Sequence, residues 1–175
     1  YTAEEVNYEI FEELHLDPVV EQEVQDAWNA FLKSAGSREA AAEAIYAAVY
    51  DAAPSLQALF KTPRAVMVIR IMTGLHQIIT EVHNPKGLKT VVEAVGFLHL
   101  HIDVTAPRVA VFRDAIVELL QTELGDAFSP LARNGFCTVL NYVGGAYIYV
   151  REKYAERLGC LASSWAQAMG KQVRD

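Results

Sequence analysis

The sequence predicts an all-α protein built as one domain, and three observations support this prediction. Ser, Thr or Asn residues, often next to proline, separate the apolar segments, and such residues cap helices. Within the segments the apolar residues recur every three or four positions, which is the helical period. An Asn-Gly or Asp-Gly turn between alternating apolar runs, typical of a β-hairpin, does not occur. At 175 residues the chain is long enough for one domain with a sizeable core.

The N-terminal segment is predicted to form a short acidic helix outside the main domain. "TAEE" at Thr2 matches a capping box, in which a hydroxyl and a carboxylate satisfy the exposed backbone N–H groups. This helix is predicted to end before Asp17-Pro18. We therefore expect an N-terminal extension at residues 1–16 and the main domain at residues 17–175.

Two longer helices and a tight turn are predicted next. Pro18 suits the first position of a helix, and "VVEQEVQDAWNAFLKSAG" follows with apolar residues at helical spacing until Gly36 ends it. Ser37 caps the alanine-rich segment "REAAAEAIYAAVYDAA", which Pro54 closes. "PSLQALF" then makes a single turn.

Two further helices occupy the middle of the chain. Thr62-Pro63 opens the apolar segment "RAVMVIRIMTGLHQIITEVH", which is predicted to end at Asn84-Pro85. "KGLKTVVEAVGFLHLH" follows and carries an apolar stripe that leads to His99. The stripe consists of Leu88, Val91, Val92, Val95 and Leu98.

The last two predicted helices bring the total to about seven, beside the short N-terminal helix. Thr105 opens one helix and Gly125 closes it, and Ser129-Pro130 opens another that runs at least to Leu158. The pair Gly144-Gly145 inside this helix costs about 1 kcal/mol per glycine relative to alanine. We expect the pair to allow close packing, and room for a ligand is the alternative.

Charge and composition exclude several partners. A net charge of −7 and a pI near 5.2 argue against nucleic acids and acidic membranes, which need basic surfaces. Two cysteines are too few for a disulfide framework, so a reduced, cytoplasmic setting is expected. No apolar run is long enough to cross a bilayer, and the first residues lack a signal-peptide pattern. Because the chain starts at Tyr1, we expect a processed form or one domain of a longer protein.

Two histidines in "EAVGFLHLHIDVTAP" suggest a metal site whose form depends on the local structure. In a strand, His99, His101 and Asp103 lie on one face and make a three-ligand site. In a helix, His99 and His101 point roughly 200° apart. The apolar stripe favours the helix, which places His99 beside the apolar face and His101 towards solvent. The three-ligand site remains an alternative.

Four stretches resemble the globin family, and the resemblance covers Pro18 to about Tyr154. "PSLQALF" is similar to the turn in which globins place a phenylalanine against haem. "VGFLH" is similar to the proximal helix, whose histidine ligates iron. "VTAPRVAVFRDAIVELLQTELGDAF" and "SPLARNGFCTVLNYVGGAYIYV" are similar to the last two globin helices. The order and spacing of the four stretches are more specific than any one of them.

The resemblance implies haem b, with His99 as the proximal iron ligand. A haem needs a dry slot, one neutral imidazole and apolar walls. A histidine satisfied on an amphipathic helix is the alternative for His99, and a plain core aromatic is the alternative for Phe60. The residues that the resemblance places against the cofactor are Phe60, Met67, Arg70, Ile71, Val95, Leu98, Val104 and Phe112.

On the distal side, where a gas would bind, the resemblance implies Tyr46, Met67 and Arg70. A tyrosine over the ligand donates a hydrogen bond to bound oxygen. Met67 stands where globins often have histidine or glutamine, with Ile71 one turn on. Arg70 is predicted either to reach over the pocket or to be solvated or paired with a propionate. His76 and His83 lie farther along this helix and are expected at the surface or at the helix end.

The expected function is reversible binding of oxygen or another diatomic gas, for transport, storage or sensing. One alternative is a haem-free globin-like signalling or interaction module. Another is nitric-oxide dioxygenation, an enzyme activity that needs electrons from a reductase. A Gly-x-Gly-x-x-Gly nucleotide-binding fingerprint does not occur in the sequence, so this activity would depend on a separate reductase.

Overall fold

The fold is a packed set of seven α-helices in a computed structural model that describes residues 5–172, without the side chains of residues 156, 158, 162, 166 and 168–172. No described residue lies in a strand, so the all-α prediction is confirmed. The helices are α1 (Pro18–Ser34), α2 (Arg38–Ala52), α3 (Pro54–Gln57), α4 (Arg64–Thr80), α5 (Pro85–Leu98), α6 (Ala106–Leu124) and α7 (Pro130–Gln172), with a 3₁₀ turn at Gly125–Ala127.

Local capping explains where most of these helices begin. Asp17 accepts a hydrogen bond from the backbone N–H of Val19, and Ser37 and Asn84 cap α2 and α5 in the same way. Ser129 caps α7 by accepting from the N–H of Ala132. The long helix α4 ends earlier than predicted, because residues 81–83 form a turn before Asn84.

The core lies where α7 packs against α1, α5 and α6, and where α2 packs against α4 and α6. The largest fully buried side chains include Trp28, Phe31 and Phe136. A Cβ atom at residue 144 would overlap the side chain of Val109, so Gly144 allows the close approach of α6 and α7. This confirms close packing as the reason for that glycine.

The N-terminal segment differs from the prediction, because residues 6–17 form no helix. The proposed cap at Thr2 lies outside the described residues. Residues 5–16, which we call the N-terminal strap, run along the helices instead, with Val6 buried and Phe11 packed against the core. The hydroxyl of Tyr142 donates a hydrogen bond to the backbone carbonyl of Glu12 at 2.9 Å. Contacts with the helices therefore outweigh the local helical tendency of this segment.

A buried arginine ties the N-terminal strap to α6. Arg113 is fully buried, and its guanidinium lies 3.5 Å from the carboxylate of Glu5. It also donates hydrogen bonds to Asp114 and to Asn141 of α7. The cost of burying this charge is offset by these partners.

Among the described residues, no helix combines the length and the apolar character needed to cross a lipid bilayer.

Candidate functional site

His99 ends α5, and its imidazole is held in one tautomer. Its Nδ1 lies 2.8 Å from the backbone carbonyl oxygen of Val95. A carbonyl only accepts, so Nδ1–H donates and Nε2 keeps its lone pair. Burial is the main cause that lowers the pKa of His99, against the hydrogen bond to Val95, which raises it. The result is a neutral imidazole with a free Nε2, which is the form that ligates a metal.

Tyr147 of α7 lies against this imidazole. The two ring centroids are 4.7 Å apart, and the ring planes differ by 19°. Tyr147 also packs on the main hydrophobic core, so it joins the imidazole of His99 to the interior. Burial raises the pKa of Tyr147, which keeps its hydroxyl protonated.

The three-ligand alternative is wrong. His101 is exposed, and Asp103 binds two arginines: Arg108 at 2.8 Å and Arg151 at 2.6 Å. The hydrogen bond from Arg151 is the largest cause that lowers the pKa of Asp103. Across the described part of the chain, no group of three His, Cys, Asp or Glu residues is placed to hold a metal ion. Asp103 instead fastens the loop after His99 to α6 and α7.

Three aromatic rings form a stack between α2 and the turn after α3. The ring centroids of Tyr46 and Phe60 are 5.6 Å apart, and Tyr50 lies 5.6 Å from Tyr46 and 5.8 Å from Phe60. Tyr46 is only 5% exposed. Its hydroxyl makes no hydrogen bond to any residue that the structure describes. A phenol in this setting is free to donate to a ligand.

An arginine that the sequence reasoning missed lies on this stack. The guanidinium of Arg64 is 4.8 Å from the ring centroid of Tyr46 and 2.7 Å from the carboxylate of Glu43. Glu43 lies three residues before Tyr46, on the same side of α2, and Arg64 is the first residue of α4. Because this contact joins two helices, no local pattern in the sequence indicates it.

The α4 residues predicted for the site separate into two groups. Met67 and Ile71 are half-buried and pack on the main core, as do Phe60 and Phe112. Arg70 is exposed and makes no ion pair within the described residues. These four apolar residues of the predicted pocket therefore pack on the main core, and Arg70 points to the surface.

Of the residues predicted to line the cofactor pocket beside His99, only some are buried as expected. Val95 is half-buried, but Leu98 is 71% exposed, so the prediction that the buried apolar stripe extends to Leu98 is wrong. At the last turn of α5 this position has no helix packed over it. Val104 packs in a separate small cluster with Val109 and with Val6 of the N-terminal strap.

His76 and His83 both make side-chain hydrogen bonds. His76 is half-buried, and its Nδ1 accepts a hydrogen bond from Nε1–H of Trp28 at 3.0 Å, so the expected surface position is wrong for His76. His83 follows the end of α4 and lies 3.2 Å from the amide nitrogen of Gln25. Trp28 thus anchors His76 to α1.

The residues present fit a haem group. His99 offers a free, neutral imidazole nitrogen, and Tyr46 offers a hydroxyl without a protein partner. The half-buried apolar residues Phe60, Met67, Ile71 and Phe112 suit the walls of a haem slot. A histidine imidazole is one of the side chains that hold haem iron in helical proteins.

Comparison with known families agrees with this class. The model of the globin family matches residues 43–146, which is more than half of the chain. The chain belongs to the globin family, whose members typically bind haem. The matched range begins in α2 and ends in α7, so it contains Tyr46, Phe60 and His99. No curated protein sequence matches the chain.

Proposed function

We propose that this chain holds haem b through Nε2 of His99 and reversibly binds oxygen or another diatomic gas at the haem iron. The observation that carries the proposal is the hydrogen bond from Nδ1–H of His99 to the carbonyl of Val95. It leaves one nitrogen available, and burial keeps that nitrogen unprotonated near neutral pH.

The lining of the proposed pocket supports the same function. Phe60 and Phe112 offer aromatic walls, and Met67 and Ile71 offer flexible and branched apolar surface from α4. Haem supplies the iron position at which the gas binds. The chain's own contribution on that side is the hydroxyl of Tyr46, which is placed on a rigid aromatic stack and donates to the bound gas.

The proposed role is transport, storage or sensing rather than catalysis by the chain alone. The proposed domain comprises residues 17–175, and residues 1–16 are its N-terminal extension. Contacts of the N-terminal strap with α6 and α7, through Glu5 and Glu12, support an extension that is packed on the domain.

The test is spectroscopic and uses the purified chain titrated with haem. Saturation at one haem per chain is expected, followed by a spectrum that changes when oxygen is added to the reduced protein. The first spectrum should return when oxygen is removed. Failure to bind haem would favour a haem-free module. Rapid oxidation in each oxygen cycle would contradict reversible binding, and turnover of nitric oxide with an added reductase would identify the dioxygenase alternative.

A further inference from the structure

The imidazole of His99 is restrained from two directions by groups on two different helices. The carbonyl of Val95, one turn earlier on α5, holds Nδ1. The ring of Tyr147, on α7, covers one face of the imidazole at a centroid distance of 4.7 Å. The 19° angle between the planes makes this a stacked contact and not an edge contact.

The ring of Tyr147 lies between α5 and the hydrophobic core. A Cβ atom at residue 96 would lie 3.4 Å from Cδ1 of Tyr147, so the ring lies beside the α5 backbone at Gly96 with room for such an atom between them. On the core side the ring packs against the main hydrophobic cluster. The ring thus packs on the core on one side and on the imidazole of His99 on the other, and offers the imidazole a flat surface.

The two restraints act on different motions. The hydrogen bond to Val95 fixes which ring edge faces α5, and the bond tolerates rotation of the imidazole plane by some tens of degrees. Rotation about the Cβ–Cγ bond of His99 moves the imidazole edge towards the flat face of Tyr147. Stacking therefore limits the motion that the hydrogen bond leaves open.

We propose that Tyr147 is a positioning residue that sets the plane of the His99 imidazole and so the direction in which Nε2 points. This inference rests on the proposed function, because the orientation of Nε2 matters to a haem iron. A flat ring is required for this role, and the hydroxyl is not. Phenylalanine at 147 should therefore preserve the orientation, and leucine should lose it.

The first experiment needs no haem and tests the contact alone. Nuclear Overhauser effects between the ring protons of His99 and Tyr147 are expected in the wild-type chain. The ring current of Tyr147 should shift the His99 ring protons, with the shift kept in Tyr147→Phe and lost in Tyr147→Leu. Tyr149→Leu is the matched control, because Tyr149 lies two residues on in α7 and contacts Phe11. Absence of these effects in the wild type overturns the proposal, even if the leucine variant does not fold.

The second experiment tests the orientation in the reduced, haem-loaded protein. The resonance Raman band of the iron–histidine bond should keep its position and width in Tyr147→Phe and Tyr149→Leu. In Tyr147→Leu it should broaden and shift, with haem still bound at saturation. A band unchanged in Tyr147→Leu overturns the positioning role. If the wild type shows no such band, the proposed function fails instead, and the haem-free spectra still decide whether the two rings stack.

Discussion

The backbone carbonyl of Asn7 occupies the position that a Cβ atom at residue 145 would take. Gly145 therefore lets the N-terminal strap lie directly on α7, just as its neighbour Gly144 lets α6 approach. Two adjacent glycines in the interior of a helix thus serve two different contacts, one on each side. Both glycines are therefore explained by a neighbouring segment that packs closely against α7, and not by room for a ligand.

Substitution Gly145→Ala should displace the N-terminal strap from α7. The added methyl overlaps backbone atoms of Asn7, which cannot move aside as a flexible side chain can. Hydrogen exchange and limited proteolysis should show faster exchange and cleavage at residues 5–16. The hydrogen bond from Tyr142 to Glu12 should be lost with them.

The matched control is Gly159→Ala in the same helix. A Cβ atom at Gly159 meets no described atom within 4 Å, so only helix propensity changes there. This control should raise the free energy of unfolding by at most about 1 kcal/mol and leave the strap protected. Equal protection of residues 5–16 in both variants would show that the contact with Asn7 is not what holds the strap.

Local signals predicted the helices well, because capping and helical period act within a few residues. Ser37 and Ser129 cap as expected, the expected cap at Thr62 makes no side-chain hydrogen bond, and Gly36 and Gly125 have positive φ at two helix ends. The N-terminal strap was missed for the opposite reason. Its conformation depends on partners more than a hundred residues away in the sequence, such as Tyr142.

For the candidate site, helical spacing predicted the burial of some residues and not of others. The apolar stripe predicted His99 beside the apolar face of α5, and His99 is half-buried there. Leu98 has the right helical phase and is still exposed, because the last turn of α5 lacks a neighbour on that side. The stacking of Tyr147 on His99 joins two helices, and no local pattern in the sequence carries it.

Acid should weaken the fold through His76. Burial is the main cause that lowers the pKa of His76 from its ordinary value of 6.5, with a smaller effect of Arg38. The unfolded chain therefore binds protons more readily, so the stabilising contribution is complete above pH 6.5 and is lost as the pH falls below it. Protonation of Nδ1 would also break the hydrogen bond from Trp28.

The measurement is urea unfolding at pH 7.5 and 5.5, followed by tryptophan fluorescence. His76→Gln keeps an acceptor that does not titrate, and the loss of stability between these two pH values should be smaller in this variant. His15→Gln serves as the control, because His15 is exposed. The same loss in the wild type and in His76→Gln would show that His76 does not contribute.

Tyr46→Phe should speed the escape of oxygen. A hydrogen bond contributes about 0.5–1.5 kcal/mol net, and a charge-assisted one somewhat more. The dissociation rate should therefore rise roughly threefold to somewhat more than tenfold, at about 1.4 kcal/mol per decade. Stopped-flow measurement gives the rate, with Tyr50→Phe as the control, because it removes a hydroxyl from the same aromatic stack. Unchanged escape in Tyr46→Phe would contradict a hydrogen bond from this hydroxyl to bound oxygen.

The reduced haem should have five ligands when no gas is present. We expect Met67 at the position that often carries an imidazole in globins, and a thioether is a weaker ligand for haem iron. His76 already accepts a hydrogen bond from Trp28, which ties it to α1. Carbon monoxide should therefore bind in one fast phase. A six-coordinate low-spin spectrum of the reduced protein would contradict this expectation, and Met67→Leu would then show whether the thioether is the sixth ligand.

The most direct test of haem binding through His99 compares His99→Ala with His101→Ala. The two histidines are two residues apart, and only His99 has its Nδ1 held by a backbone carbonyl and its ring stacked on Tyr147. We expect the absorption spectrum of the haem-loaded protein to be lost or grossly changed in His99→Ala and nearly unaltered in His101→Ala. A damaged spectrum in His101→Ala, with a normal one in His99→Ala, would contradict the assignment of the iron ligand.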